Sequence, residues 1–380
     1  GFPLTVLPAD EGPVATRWSV ELVPAAIIDA IASGLGSCAA TPRAADAAAL
    51  EPNHATSLQP MTAGAEPNRR PDAPRVAFFG PFGTFTEQAL RTQPDLCTGE
   101  QIAYRTVPDV LDAVTAGEVD YGFVPIENSI EGMVNFTLDA LAFDHELLIQ
   151  REVVLDIHMC LAARPGVALD DVREILSIPV ATAQCHRFLR EYLPTAEVRT
   201  AVSTAGAAQM VADDPSPHVA AIAPRVAAER YGLEIIAENI EDHDGNQTRF
   251  VVVSRHGVPS PSGHDRTALV VYQRADVPGS LISILQEFAA RRINLSNLIS
   301  RPTKHGGLGD YCFIVFAEGH VADDVVADAM RSLHAKQGAV KFFGSWPRAD
   351  ARDGNERAHV DRRWQEADDW IRGVRSEIFG

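Results

Sequence analysis

A guanidinium at the entry to an apolar strand is the feature of this sequence that most needs a partner. In Asn246-Gln247-Thr248-Arg249-Phe250 the chain runs on as Val-Val-Val. An arginine there is costly to bury unless an anion meets it; the alternative is an edge strand that turns it to water. A hydroxyl directly before it, that of Thr248, would lie beside such an anion with a proton to give. Three further segments set small or polar residues where a strand gives way to a helix or loop. Gly80-Pro81-Phe82-Gly83-Thr84-Phe85-Thr86-Glu87 offers glycines for tight turns and free N–H groups that attract a carboxylate or phosphate. Capping the helix is the usual job of a Thr84 or Thr86 in such a place. Pro125-Ile126-Glu127-Asn128-Ser129-Ile130-Glu131-Gly132 follows a strand directly, and strand ends face the crevice where open α/β sheets bind ligands. The commoner fate of Glu127 and Glu131 is solvation, and nothing else in the chain supports a sugar-cleaving carboxylate pair. Ser203-Thr204-Ala205-Gly206 opens a helix, where an N-cap and an anion site are both open readings.

The elements that must position these residues have the texture of an α/β layer structure from Arg75 onward: short apolar runs alternate with helix-period segments. Strands are expected at 75–79, 119–126, near Ile175, and at 198–202, 219–223 and 250–254. Helices are expected from Thr86, over 108–116, 134–142, 182–192, 204–212 and 225–231. The apolar run 147–162 reads as one extended strand with the length of a crossover. Two α/β lobes with a cleft between them fit this order, spanning 75–256. Residues 257–265, with Pro259, Pro261 and Gly263 among serines, read as a linker. Beyond it, 266–348 reads strand, helix, strand, strand, helix, strand. That ferredoxin-like βαββαβ order is expected to bury one sheet face against two helices. Residues 349–380 read as a charged helical tail. Residues 1–74 hold 10 of the 25 prolines and few aromatics, a mixture expected to stay disordered because it buries too little to offset chain entropy.

Composition narrows the function. With 33 Lys and Arg against 51 Asp and Glu, the chain has a formal charge of −18 and repels polyanions, which argues against a nucleic-acid partner. A small anion is still admissible, because the field is screened beyond about 8 Å. Hydrophobic residues make up 46%, yet no run spans a bilayer and no export signal is read near the start, so the expected compartment is the cytoplasm. Five widely spaced cysteines without a C-x-x-C pair suggest neither disulfides nor a zinc site. The G-x-x-x-x-G-K and G-x-G-x-x-G nucleotide motifs are absent.

Taken in order, GPFGTFTEQA, VPIENSIEG, the STAG helix start and NQTRF, followed by a ferredoxin-like unit, resemble the prephenate dehydratase family over about residues 75 to 348. The resemblance implies two lobes like those of periplasmic binding proteins, and cofactor-free loss of water and carbon dioxide from prephenate to give phenylpyruvate. By match to the family's Thr-Arg-Phe motif, Thr248 donates or relays the proton and Arg249 meets a substrate carboxylate beside Phe250. Glu127, Asn128, Ser129, Ser203, Thr204, Thr84 and Phe85 position the substrate, Glu127 being acceptable beside a dianion only if it is paired, protonated or turned away. Ile178 and Val180 replace a His and a Gln of many relatives, leaving Gln184 as the remaining contact of that loop. The C-terminal unit resembles an ACT domain, which implies L-phenylalanine as effector at Asp276, Val277, Pro278, Gly279, Ser280, Leu281, Asn297 and Leu298, between the paired domains of a homodimer or homotetramer. Ile299 stands where relatives carry a Glu before Ser-Arg-Pro, which leaves the sign and strength of that control open. Arogenate as substrate, and a non-catalytic two-lobed solute-binding or amino-acid-sensing protein, are the alternatives.

Overall fold

The computed structural model describes residues 73–273, 277–303, 310–349 and 355–377. The expectations for residues 1–72 and for Asp276 lie outside them. The first lobe holds β1 (Arg75–Phe79), α1 (Phe85–Arg91), α2 (Pro94–Cys97), β2 (Glu100–Tyr104), α3 (Val107–Ala116), β3 (Tyr121–Asn128), β4 (Gly132–Met133), α4 (Asn135–Asp139) and β5 (Leu148–Asp156). The second holds β6 (Cys160–Ala163), β7 (Glu174–Ser177), α5 (Pro179–Gln184), α6 (His186–Tyr192), β8 (Glu197–Thr200), α7 (Thr204–Asp213), β9 (Val219–Ala223), α8 (Arg225–Tyr231) and β10 (Glu234–Ala237). The chain then returns as β11 (Gln247–Ser254), which enters the first sheet between β3 and β5 and antiparallel to both. The first sheet has the order β2-β1-β3-β11-β5 with β4 on β3, and the second β10-β6-β9-β7-β8. The lobes are therefore joined by two crossings, β5 to β6 and β10 to β11.

Several expectations change in detail. The run 147–162 is two strands in different lobes, because the Ile157 N–H turns to the Asn246 carbonyl at 2.7 Å and the Met159 N–H to the Glu241 carboxylate at 2.8 Å. The helix expected over 182–192 breaks at Cys185, whose φ of −114° and ψ of 17° are not helical. Strands β2, β4 and β10 carried no sufficient signal: Glu-Gln-Ile-Ala-Tyr is half polar, β4 has two residues, and β10 follows a helix with only Gly232 and Leu233 between.

The third sheet, β13-β14-β12-β15, is built from β12 (Asp265–Tyr272), α9 (Ser280–Ala289), β13 (Leu295–Pro302), β14 (Tyr311–Glu318), α10 (Asp324–Lys336) and β15 (Ala339–Pro347); α11 (Asn355–Ser376) follows. The expectation that only one face is buried is corrected. Leu269, Val271, Phe313 and Val315 pack with Ile284, Phe288 and Leu333 of the two helices. Ala268, Val270, Cys312, Ile314, Phe316, Phe343 and Trp346 pack with Val251, Val253, Leu147 and Ile149 of the first lobe. The unbroken apolar runs of β12 and β14 are what burial on both faces requires. Gly344 has φ +132°, and a Cβ there would stand 2.5 Å from the Ile149 carbonyl oxygen, so glycine permits this close approach of β15 to β5.

Glu287 fastens the two helices of this unit together, accepting from Lys336 Nζ at 2.5 Å and from Arg291 at 2.8 Å. Burial alone would raise its pKa, but the hydrogen bonds from Lys336, Ser332 and Arg291 outweigh that and hold it at about 2. A carboxyl depressed on folding adds stability above its unfolded value and loses it as pH falls through the folded one. Glu287→Gln is therefore expected to lower the melting temperature near neutrality, with the gap to the parent narrowing between pH 4.5 and about 2. A gap unchanged with pH would contradict this.

Candidate active site

Strand pairing brings the two most informative segments together. In the antiparallel ladder Thr248 lies opposite Asn128 and Arg249 opposite Glu127. Asn128 Nδ2 donates to Thr248 Oγ1 at 2.9 Å, to Asn246 Oδ1 at 2.8 Å and to the Gln247 carbonyl at 3.1 Å. Its Oδ1 accepts from the N–H groups of Ile130 and Glu131, both at 2.9 Å, an arrangement that fixes which way the amide points. Because Thr248 Oγ1 accepts there, the hydroxyl keeps its own proton for a different partner. Ser129 closes the same corner: its N–H meets the Gln247 carbonyl at 2.8 Å, and its Oγ accepts from the Gln247 N–H at 2.9 Å.

The second lobe reaches this corner through Gln184, at the C-terminal end of α5. Its Oε1 accepts from Asn246 Nδ2 at 3.2 Å and its Nε2 donates to Glu131 Oε1 at 3.2 Å. Asn246 was not expected to join the site, and Glu131 was weighed from sequence only as a solvated carboxylate paired with Glu127. Asn246 is 3% exposed, and its place at the turn of the returning chain was the available signal. Beside it the buried Cys185 thiol is pushed up to about 12 by desolvation, which keeps it from acting as a nucleophile.

Thr84 and Ser203 both cap helices. Thr84 Oγ1 is 3.5 Å from the Glu87 N–H and donates to the Pro81 carbonyl at 3.0 Å, and Ser203 Oγ accepts from the Gly206 N–H at 2.9 Å. The two helix starts face each other across the lobes. A Cβ on Gly83 would stand 3.2 Å from that of Ala205 and 3.4 Å from the Ala227 Cα, so only glycine, here at φ +87°, lets the lobes approach this closely. Thr204 is buried beside Ala205. Phe85 packs against the cores of both lobes, and Phe250 stacks on Phe123 at 5.5 Å in the first. Arg230 of α8 lies over the Phe82 ring at 4.5 Å, a further contact from lobe to lobe.

Arg249 lies on the other face of β11 from Thr248. Successive side chains of a strand point to opposite faces. Thr248 and Phe250 share the face of α1, whereas Arg249 shares that of Val251 and Val253, toward the third sheet. Its Nε donates to Glu127 Oε2 at 3.0 Å and its Nη1 to Glu152 Oε1 at 2.5 Å. Two of its partners are thus protein carboxylates, and of the three states open to Glu127 beside a dianion (paired, protonated or turned away) the structure shows it paired. Glu152, fully buried, was missed, although a glutamate within Leu-Ile-Gln-Arg-Glu-Val-Val-Leu invited the question already asked of Arg249.

Of the expected effector positions, Val277 is 55% exposed, Pro278 and Gly279 form an exposed turn, and Ser280 and Leu281 begin α9 with Leu281 against the helix-side core. Asn297 and Leu298 lie on the terminal strand β13. Asn297 Nδ2 contacts Met133 Sδ at 3.2 Å, and Arg301 pairs with Asp139 at 2.7 Å. Among the described residues no group of three His, Cys, Asp or Glu side chains is arranged to hold a metal, and no helix is long and apolar enough to cross a membrane.

Comparison with known proteins agrees with this arrangement. Residues 76–258 match the family model for prephenate dehydratase, and residues 267–335 match the ACT domain model. A prephenate dehydratase of Mycolicibacterium vanbaalenii is 42% identical over 316 residues, which cover 80% of this chain and 98% of the relative. The chain belongs to the prephenate dehydratase family. The crystal structure of the Arthrobacter aurescens prephenate dehydratase in complex with L-Phe has 43% identity and a TM-score of 0.74, covering 80% of this chain and 99% of that one. GqqA, described as a novel type of quorum quenching acylase, has 28% identity and a TM-score of 0.65, covering 73% of this chain and 98% of its own. The two-lobed prephenate dehydratase architecture with an appended ACT domain is therefore the fold of this chain.

Proposed function

We propose that this chain converts prephenate to phenylpyruvate for phenylalanine biosynthesis, with Thr248 as the proton-delivering residue and L-phenylalanine acting through the ACT domain. The observation that carries the reading is the 2.9 Å hydrogen bond from Asn128 to Thr248, at a corner closed from the other lobe by Gln184. The reaction consumes one proton. The ring hydroxyl takes it and leaves as water with the C–O electron pair, the C–C pair of the ring carboxylate flows into the ring, and carbon dioxide departs. Aromatisation supplies the driving force. A threonine is a weak acid in water, so its contribution rests on placement and on a donor network fixed beforehand. Asn128 and Ser129 orient the ring end, and the α7 start at Ser203 and Thr204, with Thr84 and Phe85 opposite, receives the carboxylates. Arg249 serves from behind the strand, holding Glu127 away from the dianion. Val277 to Leu281 together with Asn297 and Leu298 form the effector site. β13, the end strand of its sheet, and the exposed Val277 and Ile282 are the surface that a second copy would cover.

The test is a side-by-side assay with prephenate and arogenate, each with and without L-phenylalanine, in chelator-treated buffer. Phenylpyruvate from prephenate at a rate changed by L-phenylalanine is expected. Turnover of arogenate alone, or of neither, would overturn the substrate assignment.

A further inference from the structure

Glu152 is a fully buried carboxylate with donors from two domains. From the catalytic side, Arg249 Nη1 meets Oε1 at 2.5 Å. From the ACT side, Arg266 Nη1 reaches Oε2, Trp346 Nε1 donates to Oε2 at 3.0 Å, and the Ala349 N–H donates to Oε1 at 2.9 Å. Arg249 goes on to Glu127, which neighbours Asn128, while its own neighbour is Thr248. A second tie converges on the same place. Asn297, on the strand of the expected effector site, contacts Met133, and Met133 lies opposite Glu127 in the β3–β4 ladder. Glu127 is thus held from both directions by residues that answer to the ACT domain.

From this geometry we infer that Glu152 is a positioning residue that couples the seating of the ACT domain to the Thr248–Asn128 corner. A buried carboxylate with four donors cannot shift toward one domain without loosening its hold on the other, because an unpaired charge there is strongly unfavourable. A small rotation of β12 and β15 against β5 therefore reaches Arg249 as a change in its grip, and through Glu127 the end of β3. Glu152 touches no substrate. The inference rests on the proposed effector role of L-phenylalanine, but the exchange and calorimetry arms of its test do not require turnover.

Trp346→Phe removes one donor on the ACT side and keeps an aromatic ring against Phe316; Glu152→Gln keeps the shape and removes the charge. In full-length protein, L-phenylalanine is expected to change amide exchange of residues 246–250 several-fold in the parent and by less than twofold in Trp346→Phe, with L-phenylalanine affinity by calorimetry within threefold of the parent. Basal turnover of Trp346→Phe should stay within twofold of the parent. Glu152→Gln should lower kcat at least tenfold with KM within threefold, and Glu152→Asp should recover part of the loss. An exchange response in Trp346→Phe equal to that of the parent, no response in a parent that binds L-phenylalanine, or a Glu152→Gln with parental kcat would each overturn the inference. Absence of phenylpyruvate from the parent while the exchange response follows the expected pattern would instead count against the catalytic reading alone.

Discussion

Thr248→Ala is expected to keep the fold and lose about 10² to 10⁴ in kcat, the range for a positioned general acid, or roughly 3 to 5.5 kcal/mol of barrier. The structural loss is smaller. One methyl group and one hydrogen bond at a half-buried position amount to about 1–2 kcal/mol, so a drop of three decades in rate cannot be assigned to unfolding. Substrate binding should change little, because the helix starts that face the carboxylates, and Asn128 at the ring end, are untouched. Thr248→Ser keeps the hydroxyl and should stay within about tenfold of the parent. Steady-state kinetics beside a melting curve check all three statements. Equal losses in the Ser and Ala variants would mean that the methyl group, not the oxygen, is what matters at this position.

Asn128→Asp has the second largest expected effect, through polarity. In the parent the amide N–H group donates to the Asn246 side-chain oxygen, the Gln247 carbonyl and Thr248 Oγ1, while its oxygen is occupied by the N–H groups of Ile130 and Glu131. A carboxylate can keep the second set but turns an oxygen toward the first. Two of those three partners are themselves acceptors and would be repelled. The third, Thr248, would respond by donating its proton to Asp, withdrawing it from the leaving hydroxyl. The new charge also faces a dianion across the ring, worth about 2 kcal/mol per carboxylate at about 8 Å and an effective dielectric constant of 20. A loss of at least 10² in kcat accompanied by a raised KM is therefore expected, comparable in kcat to deleting one donor from an oxyanion hole. Asn128→Ala removes the donor without adding the charge and should leave KM closer to the parent. If Asp and Ala raised KM equally, the charge argument would fail.

The sequence carried the layer pattern, the two lobes and the ACT order because these depend on hydrophobic periodicity, which is local. It also carried Thr248 with Asn128, since both belong to segments that end strands in polar residues. The face that Arg249 takes turns on where its strand begins. Starting the strand at Phe250 put Thr248 and Arg249 in a loop, where both could face a ligand. Starting it at Gln247, as found, sends them to opposite faces. Gln184 came from family resemblance, and its two hydrogen bonds depend on the break at Cys185, which no proline or glycine announces. Glu152 lay hidden because its partners are 97, 114, 194 and 197 residues away, and no local pattern encodes such distances.

The claim on which the rest depends is that prephenate lies between the lobes with its ring hydroxyl at the Thr248–Asn128 corner. A crystal structure of the Thr248→Ala protein soaked with prephenate tests it directly, because the variant should bind without turning over. The account predicts ligand density between the α7 start and the first lobe, with the ring hydroxyl within hydrogen-bond reach of Asn128 and over the space vacated by the threonine oxygen. Prephenate bound elsewhere, or bound there with its hydroxyl turned away from residue 248, would contradict it.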